Sequence, residues 1–196
     1  MFIFDQVPKH KVFLSFHHAD EMEVREFERR FHDAETFVSR SVNDGDIDPN
    51  FKTETTRRII RDRFISDSTV TIILIGNNTW QRKHVDWEIG YSITQTSQNN
   101  RSGLIGILLP SYRPCQSLLC QRNTTIDGYV YTPCNIPPRL QDNIVKRYAK
   151  IYGYPRSEQF LKEIIHGVFS SRTTSQPNNT RAYYALSLIH ISEPTR

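Results

Sequence analysis

Ser68-Thr-Val-Thr-Ile-Ile-Leu-Ile75 runs straight into Gly76-Asn-Asn-Thr79 and then into Trp80-Gln-Arg-Lys-His-Val-Asp-Trp-Glu-Ile-Gly-Tyr-Ser-Ile93. The first run is apolar on both faces, the pattern of a central parallel strand covered by helices on either side. Gly76, Asn77 and Asn78 end it, and Thr79 is placed to cap a helix from Trp80 to about Thr96. Strand, short polar loop and helix in succession make one unit of a parallel α/β sheet.

The same alternation extends outward in both directions. Upstream, Lys11–Phe16 is a short β-branched and aromatic run that reads as a buried strand. Val24, Phe27 and Phe31 then recur at helical spacing, with Asp20 as the expected N-cap and Glu23 completing a capping box. Thr36–Val42 is a weaker strand, Asn43–Asn50 an emphatic loop, and Lys52–Ile65 a second helix with Ile60 and Phe64 facing inward. Downstream, Leu104–Leu109 is a second doubly buried strand closed by Pro110. A long excursion covers Ser111 to Pro138; Arg139–Val145 reads as a short helix, Ala149–Tyr152 as a strand and Glu158–Phe169 as an amphipathic helix. About five strand–helix alternations predict one α/β domain of the flavodoxin-like type, with a five-stranded parallel sheet in the order 2-1-3-4-5 and helices on both faces. In such sheets ligands sit at the carboxyl ends of the strands near the switch in strand order. Those ends are Phe16–His18 and Gly76–Thr79.

The helix after the central strand carries the chemistry. Val85, Ile89 and Ile93 recur every four residues as the stripe that packs on the sheet. A second stripe holds Trp80, His84, Trp87, Glu88 and Tyr91, putting a carboxylate and an imidazole one turn apart among aromatic rings. The plainer reading is that these rings cover a domain edge or a subunit interface, with Glu88 paired to Arg82, Lys83 or His84. The chemical reading is a ligand pocket around Glu88.

Composition excludes several classes of function. The 196-residue chain has eleven Phe and nine Tyr, enough apolar surface for one sizeable core. Its mean hydropathy of -0.54 indicates a polar shell. No run approaches the roughly 18 apolar residues of a membrane span, and Met-Phe-Ile-Phe-Asp5 lacks a secretory n-region, so a cytoplasmic location is expected. Cys115, Cys120 and Cys134 are read as reduced thiols, too few and too widely spaced for a zinc ribbon. The net charge of +4 gathers in Arg57, Arg58, Arg61 and Arg63. Those arginines pair at helical spacing as Glu54–Arg58 and Arg58–Asp62, which reads as a solvated helix face and not as a nucleic-acid surface. Asp44–Asp48 alternates carboxylates but places its glycine wrongly for a calcium loop, and Gly103–Gly106 has no phosphate-loop pattern. No metal and no resident cofactor are expected.

The segments at 12–20, 68–93, 103–110 and 135–155 together resemble the TIR-like family that includes the TIR protein of the Thoeris anti-phage system. The likeness runs from about Lys11 to Phe169, and its most specific piece ends in Val85-Asp-Trp-Glu-Ile89. It implies a TIR-like domain over residues 11–170, after an N-terminal extension at 1–10. It also implies an NAD-processing enzyme that cleaves the nicotinamide–ribose bond, by hydrolysis or by cyclisation, to make an ADP-ribose signal for a downstream effector. The catalytic residue would be Glu88, and the NAD contacts Ser15, Phe16, His17, Asp20, Asn77, Thr79, Trp80, His84 and Trp87. His84 departs from the family, in which many relatives carry an aromatic residue at that position. The alternative is a non-catalytic module that binds a nucleotide or self-associates through TIR–TIR contacts. Residues 171–185, rich in Ser, Thr, Asn and Pro up to Asn179, read as a flexible linker. Leu186–Arg196, LSLIHISEPTR, resembles a translated sequencing adapter and is left out of fold reasoning.

Overall fold

A computed structural model describes residues 7–32, 37–39, 53–96, 100–116, 123–126 and 128–183 of the chain. In chain order the strands are β1 (Lys11–Ser15), β2 (Val38–Ser39), β3 (Val70–Ile75), β4 (Gly103–Leu108), β5 (Thr124–Ile126), β6 (Tyr129–Tyr131) and β7 (Ala149–Tyr152). The helices are α1 (Glu21–His32), α2 (Thr53–Ile59), α3 (Lys83–Ser92), α4 (Pro138–Val145) and α5 (Glu158–Ser171). The main sheet is parallel throughout, in the order β2-β1-β3-β4-β7. Counting only the strands of that sheet, this is the expected 2-1-3-4-5 order of a flavodoxin-like domain.

Alternation along the central strand sends side chains to two layers. Val70, Ile72 and Leu74 pack with Val24, Phe27 and Phe31 of α1 and with Leu161, Ile165 and Val168 of α5. Ile73 and Ile75 pack on the opposite face with Val85 and Ile89 of α3 and Leu140 of α4. A satellite cluster joins Phe13 of β1 to Ile65 and Trp87. α2 continues into a π-helical turn over Ile60–Ile65, in which Ser66 N–H donates to the Arg61 carbonyl at 2.9 Å. The three-layer arrangement leaves the carboxyl ends of β1 and β3 side by side, beneath the start of α3. Among the described residues no helix is long and apolar enough to cross a membrane.

Several local expectations change. The helix predicted from Trp80 is split: Thr79–Gln81 is a 3-10 turn, Arg82 is extended, and α3 begins only at Lys83 and ends at Ser92. The cause is Thr79, whose hydroxyl accepts from Gly76 N–H at 2.9 Å and donates to Asp20 Oδ2 at 3.1 Å, so it serves the loop instead of capping a helix. The capping box at α1 is absent for the same reason. Asp20 lies in a 3-10 turn, His18–Asp20, facing Thr79, while Glu23 accepts from the Ser111 backbone N–H at 3.0 Å.

The excursion after β4 contains an antiparallel hairpin, β5–β6, whose turn places Gly128 at φ 79°. The Asp-Gly pair at 127–128 between two β-rich triplets is the sequence signal for it. Cys115 is outside any disulfide, but Cys134 is disulfide-bonded, which corrects the reading of three reduced cysteines.

The segment after α5 is tied down as far as Tyr183. Asn178 N–H donates to Asn143 Oδ1 at 2.8 Å, Asn179 Nδ2 donates to the Gly90 carbonyl at 3.1 Å, and Arg181 Nε donates to Asp142 at 2.7 Å. Asparagine both donates and accepts, so a polar segment without an apolar stripe is held here by side-chain and backbone hydrogen bonds. The loop at 43–50, the carboxylates at 44–48, Cys120 and the stretch 186–196 lie outside the described residues, as does most of the strand expected at 36–42.

Candidate active site

Ser15 is the last residue of β1, and Glu88 sits in the middle of α3 where that helix crosses the strand ends. Ser15 Oγ donates to Glu88 Oε2 at 2.6 Å, and both side chains are buried. Burial dominates the titration of this carboxyl. The hydroxyl favours the ionised form, but desolvation outweighs it and pushes the pKa from 4.5 up to about 7. No cation pairs with Glu88 among the described residues, so the acid is poised near neutrality and able to exist in either form at physiological pH.

His84, one turn before Glu88, lies at the surface. Its Nε2 is 3.2 Å from the Phe16 carbonyl. A carbonyl only accepts, so Nε2 carries the proton and Nδ1 is left to accept. His17 stands nearby, its ring centre 6.4 Å from that of His84. Burial, reinforced by the neighbouring charges of Arg82 and His84, lowers the His17 pKa to about 4, so it is neutral at physiological pH. His17 Nδ1 and Arg82 Nε are both buried with no hydrogen-bond partner among the described residues. Unpaired buried polar atoms are uncommon in folded proteins, and here Arg82 acts on both His17 and Asp20.

Asp20 and Thr79 close one wall. Burial raises the Asp20 pKa, with the Thr79 hydrogen bond acting in the opposite sense. Gly76 makes this approach possible, because a Cβ there would lie 2.3 Å from Asp20 Oδ1. Asn77 is exposed, and its Oδ1 accepts from Arg113 N–H at 2.8 Å, tying the loop after β3 to the segment after β4. Phe16 is half-buried against the α1–α5 core, and Trp80 is half-buried in the 3-10 turn.

The stripe read from sequence divides in three dimensions. Ser15, Phe16, His17, His84 and Glu88 come together at the end of β1, and Asp20 meets Thr79 beside Gly76. Trp87 packs on Phe13 of β1 and Ile65, with Tyr91, Ile60 and Phe64 against them. The Trp87 and Tyr91 ring centres are 4.6 Å apart, and the two rings line a cleft of about 540 Å³ with Arg57, Arg58 and Arg61.

Two elements at the site were missed from sequence. Arg82 was considered only as a partner for Glu88, which it is not among the described interactions, because a residue inside a predicted helix gives no sign that it will become an extended break. The other is Asp86, buried against Arg139 of α4 through hydrogen bonds of 3.1 and 3.0 Å; nothing in local spacing connects two residues so far apart in sequence. Among the described residues no three His, Cys, Asp or Glu side chains converge as a metal site.

Comparison with known proteins bears on this geometry. The family model described as Thoeris protein ThsB, TIR-like domain, matches residues 13–113, just over half of the 196-residue chain. That span contains the last three residues of β1, all of β3 and α3, and every candidate site residue. No curated protein matches the chain.

Proposed function

The chain belongs to the Thoeris ThsB TIR-like family, and from that premise we infer that it processes NAD in anti-phage defence, with Glu88 as the catalytic carboxylate. The observation that carries the reading is the buried Glu88–Ser15 pair at the carboxyl end of the sheet. It is a desolvated acid with a hydroxyl partner and, among the described residues, no countercharge, where parallel α/β folds hold their ligands.

The bond to be broken joins the nicotinamide nitrogen to the ribose anomeric carbon. As it lengthens, nicotinamide leaves as a neutral molecule and needs no proton, while positive charge grows on the ribose. A carboxylate held in a water-poor site favours that state over the ground state, because its charge is poorly solvated until the cation forms. Ser15 holds Oε2 in place, leaving Oε1 for the sugar. His17 and Arg82, with their unpaired buried nitrogens, are suited to ribose hydroxyls and phosphate. Water attacking the anomeric carbon yields ADP-ribose and one proton. A nucleophile within the same molecule, attacking in the absence of water, yields a cyclic product and the same proton.

The test is incubation of the purified protein with NAD, with products separated by liquid chromatography and identified by mass spectrometry, alongside Glu88→Gln. Extract from phage-infected cells is added in parallel as a source of trigger. Hydrolysed or cyclic ADP-ribose that vanishes in Glu88→Gln is the expected result. No product from folded protein under either condition favours the non-catalytic nucleotide-binding or interaction module.

A further inference from the structure

Just beyond the end of β7 a cleft of about 430 Å³ opens between the β5–β6 hairpin and the start of α5. It is lined by Tyr129 of β6, by Gly153, Tyr154 and Arg156, and by Phe160 of α5. Its volume falls within the range of roughly 300–1,000 Å³ typical of small-molecule sites. β7 is an edge of the main sheet, and β3 and β4 stand between it and β1. Three strand spacings, about 14 Å, therefore separate it from the strand that carries Ser15. All five lining residues also fall outside the span 13–113 that the family model matches.

The walls are held from behind. A Cβ at Gly153 would overlap the Tyr129 ring, so only glycine lets that ring lie on the backbone, and Tyr129 Oη donates to the Tyr154 carbonyl at 3.4 Å. Phe160 meets Tyr152 edge to face, with ring centres 5.9 Å apart. Tyr154 is taken up by Phe27, Phe31 and the Arg30 guanidinium, so it forms the back of the cleft. Tyr129 and Phe160 are the rings left to meet a ligand. Arg156 differs from this apolar lining. It is exposed, and although its carbonyl accepts from Arg30 Nη2 at 2.7 Å, its guanidinium has no hydrogen bond, ion pair or ring contact among the described residues. Of the carboxylates that act on Tyr154, Glu26 accepts from Arg29 and Glu23 from Ser111.

We propose that this cleft binds a small planar aromatic carboxylic acid, its ring between Tyr129 and Phe160 and its carboxylate on Arg156. Aromatic walls favour a flat ring, which they meet by offset or edge-to-face contact. A guanidinium presents two parallel N–H donors that match the two oxygens of one carboxylate. A nucleotide fits this lining poorly, because one guanidinium faces several phosphate charges and the walls offer only tyrosine hydroxyls to the polar edge of a base. An aliphatic acid keeps the ion pair and forfeits the ring contacts. The site stands apart from the Glu88 pocket, and its occupancy does not depend on whether Glu88 turns over NAD.

Calorimetric titration of the full chain with 2-naphthoate, naphthalene-2-methanol and hexanoate tests the assignment. The expected result is saturable one-to-one binding of 2-naphthoate, with the neutral alcohol and the aliphatic acid each weaker by about fivefold or more. Arg156→Ala is expected to weaken 2-naphthoate by about fivefold or more and to leave the alcohol unchanged. Its side chain has no partner to lose among the described residues, which guards against a fold defect. Tyr129→Ala is expected to weaken both aromatic probes by about threefold or more. Excess NAD, added to Glu88→Gln so that none is turned over, is expected to leave 2-naphthoate binding unchanged. Absence of 2-naphthoate binding, binding that survives either Arg156→Ala or Tyr129→Ala, or binding that NAD displaces would each overturn the proposal. The alcohol binding as tightly as the acid would overturn the carboxylate assignment, and hexanoate binding as tightly would overturn the aromatic one.

Discussion

Asp86 and Glu88 are two buried acids two residues apart on one helix, and their surroundings make them opposites. Asp86 faces α4, where the buried guanidinium of Arg139 binds both of its oxygens, and neither side chain reaches solvent to any useful degree. Glu88 faces the end of β1, where among the described residues a hydroxyl alone meets it, and burial pushes its pKa up to about 7. The first is a structural tie: the charge is cancelled, and the segment after α5 seals it, with Asn179 accepting from Arg139 Nη1 at 2.7 Å and the Tyr183 ring centre 4.5 Å from that guanidinium. The second is a carboxyl kept short of partners, the condition in which a buried acid is available for chemistry. What separates them is the residue opposite, not the depth of burial.

The contrast is most severely tested by removing the cation. Arg139→Ala leaves Asp86 buried without a countercharge and should lower stability by about 3–5 kcal/mol in urea denaturation. Arg139→Met with Asp86→Leu, which removes both charges, should recover most of that loss. A small loss in the single variant would mean that water reaches Asp86 and that the two acids are not opposites.

Glu88→Gln should change stability with pH and not at one pH. The folded-state pKa near 7 lies above the ordinary 4.5, so between those values the folded chain keeps a proton that the unfolded chain has released. The resulting stabilisation is complete below about 4.5 and lost as pH rises through about 7, amounting to about 3 kcal/mol. The Gln variant lacks that slope and should overtake the parent protein in stability toward pH 8 in thermal melts. His17 has the reverse slope, because its folded pKa of about 4 lies below the ordinary 6.5, so its neutral form stabilises at higher pH and that contribution is lost as pH falls. It is common to both proteins and cancels in the difference. In the NAD assay the ionised carboxylate is the active form, so turnover by the parent protein should fall as pH drops through about 7.

Ser15→Ala sharpens the same point. Loss of a hydrogen bond to a carboxylate should lower stability by about 2 kcal/mol at pH 8. It should also move the acidic limb of NAD turnover to higher pH, since the hydroxyl favours the ionised form. An unmoved limb would remove Ser15 from the electrostatics of the site. The smallest effect belongs to the seal on the structural acid: Tyr183→Ala, which removes one ring from Arg139, should lower stability by about 1 kcal/mol. It should leave the pH profile of NAD turnover unchanged.

Much of this was legible in the chain. β3 and β4 read correctly because strands buried on both faces must be apolar at every position. α5 begins where Ser157 marks it, with the serine hydroxyl accepting from Phe160 N–H at 3.2 Å. Glu88 could be singled out from the stripe on its helix and from the family resemblance, and Ser15 from that resemblance and its place at the end of the first strand. The break at Arg82 was not legible, since it depends on Thr79 meeting Asp20, which lies 59 positions earlier. Nor was the division of the aromatic stripe, because helical periodicity describes one helix in isolation and α3 is packed on several sides.

The sequence alone determined the order of strands and helices, the parallel sheet and the strand ends at which Ser15 and the Gly76–Thr79 loop lie. Those properties follow from local periodicity, from turn residues and from the handedness of crossovers, all of which act over a few tens of residues. Only the tertiary structure decided that Arg139 would meet Asp86 while, among the described residues, no cation meets Glu88, and that Trp87 would pack between Phe13 and Arg57. The reason is physical: a side chain's charge state and accessibility depend on what lies across from it, and that neighbour comes from a distant part of the chain.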